Sequence, residues 1–385
     1  MANFNQRVYF YVGSEPDSSK PAEHVGYPHL LIALAEGLKT LGIEVYSNNS
    51  YWRLSQDSEE YLFSKNPSIS HEDCSIVVFG DVFSTNIITP EQLFHKNRKY
   101  ITVALEDCDG SRTFSSKPEY RKADIVLKAH FNSKLKFPSN VYPWAFGLSE
   151  RIIKATSNNL NFQDREKKLL INFRHNKFAH SVRKTVDKEL ASEIAPIIPL
   201  DKSIDTHPPT NPYDYWLWQR TGRRHNPNYY QRLKHTAACA AFGGFFVPEF
   251  PEDPTTIISR VFKAAYSQLG LKSNRIIQWD SWRLWESLAS GCATFHVDFE
   301  KYGCQLPVMP ENWRHYIGID LDNIQFAISR IRSEPEILEK VSIEGKLWAL
   351  EHYSPTATAI RFLKSVGFPY VENYTSNYLA FGRYE

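Results

Sequence analysis

The chain has 385 residues, enough for two domains of ordinary size. Its hydrophobic share of 42% supplies two packed cores, and a formal net charge of +2 gives no electrostatic case for nucleic acid as an obligatory partner. The cysteines, Cys74, Cys108, Cys239, Cys292 and Cys304, are odd in number and widely spaced, with no Cys-x-x-Cys pair. That spacing excludes a cysteine metal cluster and predicts free thiols in a reducing compartment. The opening residues, Met-Ala-Asn-Phe-Asn-Gln-Arg, show no leader pattern, and no apolar run reaches the ~18 residues of a membrane span. The expectation is a soluble cytoplasmic protein, at most peripheral to a membrane. Aromatic residues make up 14% of the chain, and such rings serve either cores or stacking on sugars and bases.

In chain order, residues 8–12 form an apolar strand ending at Gly13-Ser14, and a polar loop follows over 15–27. Residues 28–41 carry Leu30, Leu31, Leu34, Leu38 and Leu41 at helical spacing, and Gly42 stops the helix. Strands are predicted over 43–46, over 75–79 ending Gly80-Asp81, over 99–105 ending at Glu106, and over 123–127. This alternation predicts a parallel sheet wrapped by helices, with ligands beyond the carboxyl ends of its strands. The polar stretch 151–167 reads as an interdomain linker, so a first domain spans 1–155 and a second 168–365, with a tail over 366–385.

In the second half, strands are predicted over 168–173, 194–200 and 238–242, the last ending at Gly243-Gly244. The segment 201–228 is rich in Pro, His, Trp and Arg and reads as a long loop or insertion, the kind that often carries function. Arg220, Arg223, Arg224 and His225 form a basic run whose ordinary reading is a solvated surface. A helix is predicted over 281–289, a strand over 292–297, and helices over 323–333 and 336–353.

Residues 275–300 are the most informative stretch. One acid, Glu286, lies among Leu284, Trp285, Leu288 and Ala289. A carboxylate on such a face is costly to bury alone, so a position at the rim of a cleft, meeting a ligand hydroxyl, is expected. The run Ser281-x-Arg283-x-x-Glu286-x-Leu288-Ala289-x-Gly291-Cys292, preceded by Tyr229 to His235 and by Gly243-Gly244, resembles the donor-binding half of GT-B glycosyltransferases, the exostosin-type branch most closely. The resemblance covers about residues 228–365 and implies two Rossmann-like domains facing across a cleft. It further implies a nucleotide-sugar donor, with a UDP-sugar favoured, and no other cofactor. Glu286 then meets the donor ribose. The common retaining template has a second Glu eight positions earlier, where this chain has Gln278, so inversion is the expected stereochemistry.

Glycosyl transfer must neutralise a departing diphosphate and, when it inverts, needs a base for the acceptor hydroxyl. Arg174 and Arg183 flank the first loop of the second domain, and Arg283 shares a helical face with Glu286. These three, with Ser281 and the backbone at Gly243 and Gly244, are the candidate donor contacts. Asp107, His24 and His130, in that order, are the candidate bases. His29 is expected to cap or pack, and His225 and His296 have no spaced partner for a metal. Asp107-Cys108-Asp109 has the letters of a metal motif but lies in the wrong half, so no metal is expected. The acceptor is open among a glycan, a lipid-linked sugar, a metabolite, a protein or a modified nucleic acid, and the aromatic segment 208–230 favours a second substrate. The alternatives are a nucleotide-sugar epimerase of the same fold and a non-catalytic carbohydrate- or nucleotide-binding module.

Overall fold

A computed structural model describes residues 7–15, 22, 26–81, 86–107, 118–157, 160–173, 180–205, 207–248 and 257–368. The first half builds a six-stranded sheet from Arg7–Tyr11, Glu44–Ser47, Ile76–Phe79, Ile101–Glu106, Ile125–Lys128 and Val141–Pro143. Every neighbouring pair is parallel. In space the second of these strands comes first, then the first, then the third to the sixth. Strands such as Ile-Val-Val-Phe at 76–79 are wholly buried, as a parallel sheet covered on both faces requires.

The second half builds a five-stranded parallel sheet from Glu166–Leu170, Leu200–Asp201, Thr236–Ala240, Ala293–Val297 and Ile317–Ile319. Its spatial order follows the same rule, second strand, first, third, fourth and fifth. In each sheet the order therefore reverses between the first and third strands, and the crevice beyond those strand ends is where such folds bind ligands.

Three expectations change. Residues 171–173 run on past the end of the strand Glu166–Leu170. Residues 186–194 are helical, leaving only Leu200–Asp201 as the strand expected over 194–200. The segment read as a loop holds a helix, Pro212–Arg220. Asn211 caps it through bonds to the N–H groups of Tyr213 (2.9 Å) and Asp214 (3.2 Å), with Pro212 in the first turn. Asn226 and Pro227 open the helix Pro227–His235 in the same way.

The two halves are joined tightly. Asn132 Nδ2 donates to the carbonyls of Ile276 and Tyr302, each at 2.8 Å, and Trp279 Nε1 to that of Phe131 at 3.0 Å. The Phe146 N–H donates to Asp280 Oδ2 at 2.7 Å, and Trp285 Nε1 donates to Oδ1 at 2.7 Å. Burial pushes the Asp280 carboxyl up to about 7 despite both donors. The last helix, Pro355–Ser365, returns to pack on the first, His29–Thr40. Gly37 is required there, because a Cβ would run into the Pro355 carbonyl. The expected tail over 366–385 falls almost wholly outside the described residues.

Candidate active site

In the second sheet the reversal point lies between Glu166–Leu170 and Thr236–Ala240. The chain leaves these strands through Ile171, Asn172 and Phe173 on one side and Ala241, Phe242 and Gly243 on the other. Two arginines reach this point. Arg283 Nε donates to the Asn172 carbonyl, and Arg183 Nε donates to the Phe242 carbonyl at 2.9 Å. Each arginine thus holds the end of one of the two strands that flank the crevice. Arg183 also lies over the Phe173 ring, 5.4 Å from its centroid. Burial, and then the charge of Arg283, lowers the Arg183 guanidinium to about 9. Both effects disfavour a cation, and an anion placed beside the two side chains would offset them. Arg174 lies outside the described residues.

Ser281 stands at the start of the helix Trp282–Ser290, and its hydroxyl donates to the Ala241 carbonyl at 3.3 Å. Gly243 and Gly244 have a reason of their own to be glycine. A Cβ at Gly243 would lie 2.9 Å from the Trp279 carbonyl oxygen. At Gly244, with φ +88°, it would lie 2.7 Å from Ile276 Cγ2. Their close backbone approach is to residues 276–279. Gln278, in that same stretch, is a non-glycine residue with φ +57°, an uncommon and costly conformation.

Glu286 is not at a rim: it is 3% exposed. Its Oε1 accepts a bond of 2.9 Å from the Tyr230 hydroxyl. That hydroxyl accepts one of 2.8 Å from Arg151 Nη1. Arg151 Nη1 also lies 3.3 Å from His225 Nδ1, and His225 Nε2 lies 3.1 Å from Asp214 Oδ1. If Nδ1 accepts from the guanidinium, Nε2 carries the proton and donates to Asp214. Burial, then Arg151, lowers the His225 imidazole to about 4, so it is neutral in this chain of contacts. Burial raises the Glu286 carboxyl, while Arg151, Tyr230 and Arg283 oppose that rise.

Arg151 was missed in the sequence because it lies in the stretch read as a polar linker. That stretch begins with a helix, Glu150–Thr156, whose Arg151, Ile152 and Thr156 are buried. Tyr230 stood in the quoted run without a role, and nothing in the spacing links it to Glu286, 56 positions later. Trp282 also joins the halves. Its ring stacks on Phe146 at 5.0 Å and meets His29 edge-on at 4.4 Å. His29 packs, as expected, with Nε2 3.2 Å from the Gly147 carbonyl oxygen.

The basic run does not behave as a solvated surface throughout. Arg220 is 4% exposed and lies between the rings of Trp52 and Trp216, 4.4 Å from each centroid. It grips both oxygens of Glu15, at 2.8 and 3.0 Å, and so ties the helix Pro212–Arg220 to the loop after the first strand.

The candidate bases differ sharply. Asp107 is exposed, one residue past the strand Ile101–Glu106. His130 is buried with neither ring nitrogen hydrogen-bonded, and it adopts φ +56°. Burial, then Lys128, lowers its imidazole to about 3, so it is neutral and a weak base at ordinary pH. His24 lies outside the described residues, as does Asp109. Among the described residues no group of three His, Cys, Asp or Glu side chains is arranged to hold a metal ion. No helix among them is long and apolar enough to cross a membrane.

No family model matches the sequence, and no curated protein matches it. Solved structures do match in fold. An α-glucosyltransferase in complex with UDP-glucose and DNA containing an abasic site is 10% identical, over 94% of this chain and 99% of that one, at a TM-score of 0.50. An α-glucosyltransferase with UDP and a 13-mer DNA containing an HMU base is 12% identical, over 95% of this chain and 99% of that one, also at 0.50. Anabaena Alr3699/HepE in complex with UDP is 9% identical, over 94% of this chain and 99% of that one, at a TM-score of 0.44. With two parallel sheets of matching order and a last helix returned to the first half, this chain has the GT-B fold that the sequence resemblance implied.

Proposed function

We propose that this protein is a glycosyltransferase that moves a sugar from a nucleotide-diphosphate sugar, with a UDP-sugar favoured, to an acceptor hydroxyl. The observation that carries this reading is that Arg183 and Arg283, on different elements, both reach the reversal point of the second sheet, where two cations suit a diphosphate. Backbone N–H groups at the start of the helix Trp282–Ser290 add to that anion site. Glu286 takes the ribose hydroxyls, and Arg174, Ser281, Gly243, Gly244 and Gln278 complete the donor side. The two neighbours at a TM-score of 0.50 hold UDP-glucose or UDP, which supports this donor class.

In the inverting form of the reaction, the Asp107 carboxylate takes the acceptor proton. The freed oxygen attacks the anomeric carbon from the side opposite the diphosphate. The bond from that carbon to the diphosphate oxygen breaks, and its electron pair leaves with the nucleotide, stabilised by the arginines rather than by a metal. Asp107 remains ahead of His24 and His130 as the base, because it is exposed at a strand end whereas His130 is a buried, weak base. The acceptor remains a glycan, a lipid-linked sugar, a metabolite, a protein or a modified nucleic acid. The DNA held by both neighbours makes nucleic acid the first to try.

The test is a panel of UDP, GDP, ADP and dTDP in thermal unfolding, followed by product analysis with the donor that binds. UDP at 100 times its Kd should stabilise the fold by about 2.7 kcal/mol. No shift with any of the four removes the donor site. The anomeric configuration of the product, read by NMR, decides the stereochemistry. Retention would favour the α-glucosyl transfer named for the neighbours and would shift attention from Asp107 to the surroundings of Gln278.

A further inference from the structure

Arg151 is 8% exposed and comes from the segment that joins the two halves, yet its contacts converge on the acid of the second half. Nη1 donates to the Tyr230 hydroxyl at 2.8 Å, and that hydroxyl donates to Glu286 Oε1 at 2.9 Å. Nη2 is buried with no hydrogen-bond partner. Nε lies 3.5 Å from the Tyr27 hydroxyl, and the guanidinium sits over the Tyr27 ring at 5.6 Å. Burial opposes the charge on Arg151, but Tyr230, Tyr27 and Glu286 outweigh it and keep the guanidinium protonated.

We propose that Arg151 is a positioning residue for the donor nucleotide: through the Tyr230 hydroxyl it fixes the buried Glu286 and keeps that carboxylate ionised. This rests on the reading of Glu286 as the ribose contact. A buried carboxylate without a neighbouring cation takes up a proton, and a protonated acid is a poor acceptor for two ribose hydroxyls. The charged and titratable groups facing Glu286 are few. Tyr229 and Tyr230 come from the helix Pro227–His235, Arg151 from Glu150–Thr156, Cys239 from the strand Thr236–Ala240, and Arg283 from Glu286's own helix. Of the two cations, Arg151 opposes protonation of Glu286 more strongly than Arg283 does. The sign follows: without Arg151, Glu286 protonates at higher pH, and nucleotide affinity falls as pH drops through that point.

The test is a carbon-13 titration of the Glu286 side-chain carboxyl in the full chain without ligand, assigned by its disappearance in Glu286→Gln. In Arg151→Met the midpoint should rise by about one pH unit or more relative to the unaltered protein, and in Tyr230→Phe by less. UDP affinity measured alongside, taken as a ratio to the unaltered protein at the same pH so that the titration of Arg183 cancels, should fall about tenfold or more between pH 8 and pH 6 in Arg151→Met. An unmoved midpoint in folded Arg151→Met overturns the proposal. Tyr230→Phe removes a single oxygen and carries the same decision if Arg151→Met does not fold. A midpoint that rises while UDP affinity ignores it would instead sink the ribose role of Glu286 and leave the link from Arg151 standing.

Discussion

The two sheets share one strand order, and so they share one kind of crevice, but their strand ends carry opposite chemistry. Beyond the first sheet, Glu106 and Lys128 sit opposite each other on adjacent strands and pair, each 2% exposed, with the neutral His130 two residues on. Beyond the second sheet, Arg183 and Arg283 each donate to a backbone carbonyl, and the charge of Arg283 disfavours that of Arg183. On the proposed function, the two arginines of the second crevice suit a diphosphate, and the first crevice is left for the acceptor. On that reading topology gives both halves a crevice, and the side chains at the strand ends would divide donor from acceptor.

The largest effect should come from breaking the first half. Asp107 stands past the strand end as an exposed acid of that crevice and is the proposed base. Asp107→Asn keeps the shape and removes the base, which typically costs about two to four decades in rate. Turnover should fall by that factor while the Kd for UDP stays within about twofold, since the proposed donor contacts lie in the other half. Unchanged turnover would remove the base from the first crevice and end the division of labour.

Much of the fold was legible because parallel strands covered on both faces read as continuous apolar runs, as at 76–79 and 101–105. The helix Pro212–Arg220 was missed although Asn211-Pro212 announces it. The surrounding Pro and His obscured a nine-residue helix whose apolar face is narrow. Glu286 and Arg283 were singled out as candidates through helical spacing and resemblance. Arg183 and Arg283 were expected as donor contacts on separate elements, and their anchoring on Phe242 and Asn172 depends on strand order that spacing does not fix. Arg151 was hidden because a polar stretch suggests solvent, whereas folding buries it against Tyr27 and Tyr230. The glycines at 243 and 244 were attributed to the diphosphate, but the backbone at 276–279 already demands them.

A smaller effect should sharpen the electrostatic side of the comparison. Arg283→Ala removes one charged hydrogen-bonding group, worth about 1.5–3 kcal/mol. UDP should bind roughly tenfold to a hundredfold more weakly, while uridine, which lacks the diphosphate, should lose less than about threefold. Isothermal titration with both ligands on the same variant separates the cases. Equal losses for UDP and uridine would mean that Arg283 shapes the nucleoside pocket, and the cationic character of the second crevice would no longer explain donor binding.

The smallest effect concerns Ser281, which belongs to the motif that carries the resemblance yet spends its hydroxyl on the protein. It donates to the Ala241 carbonyl at 3.3 Å, near the upper limit for such a bond, and it makes no capping bond to its own helix. Ser281→Ala loses one neutral hydrogen bond, worth about 0.5–1.5 kcal/mol of fold stability. If the hydroxyl stays with Ala241 when the donor binds, that loss should appear in thermal unfolding, and the Kd for UDP should change by less than about threefold. If it swings to a phosphate oxygen instead, UDP affinity should fall by about tenfold while the unliganded protein unfolds almost where it did. The two outcomes exchange places between stability and binding, so measuring both on one variant tells whether Ser281 holds the rim of the crevice together or helps to fill it.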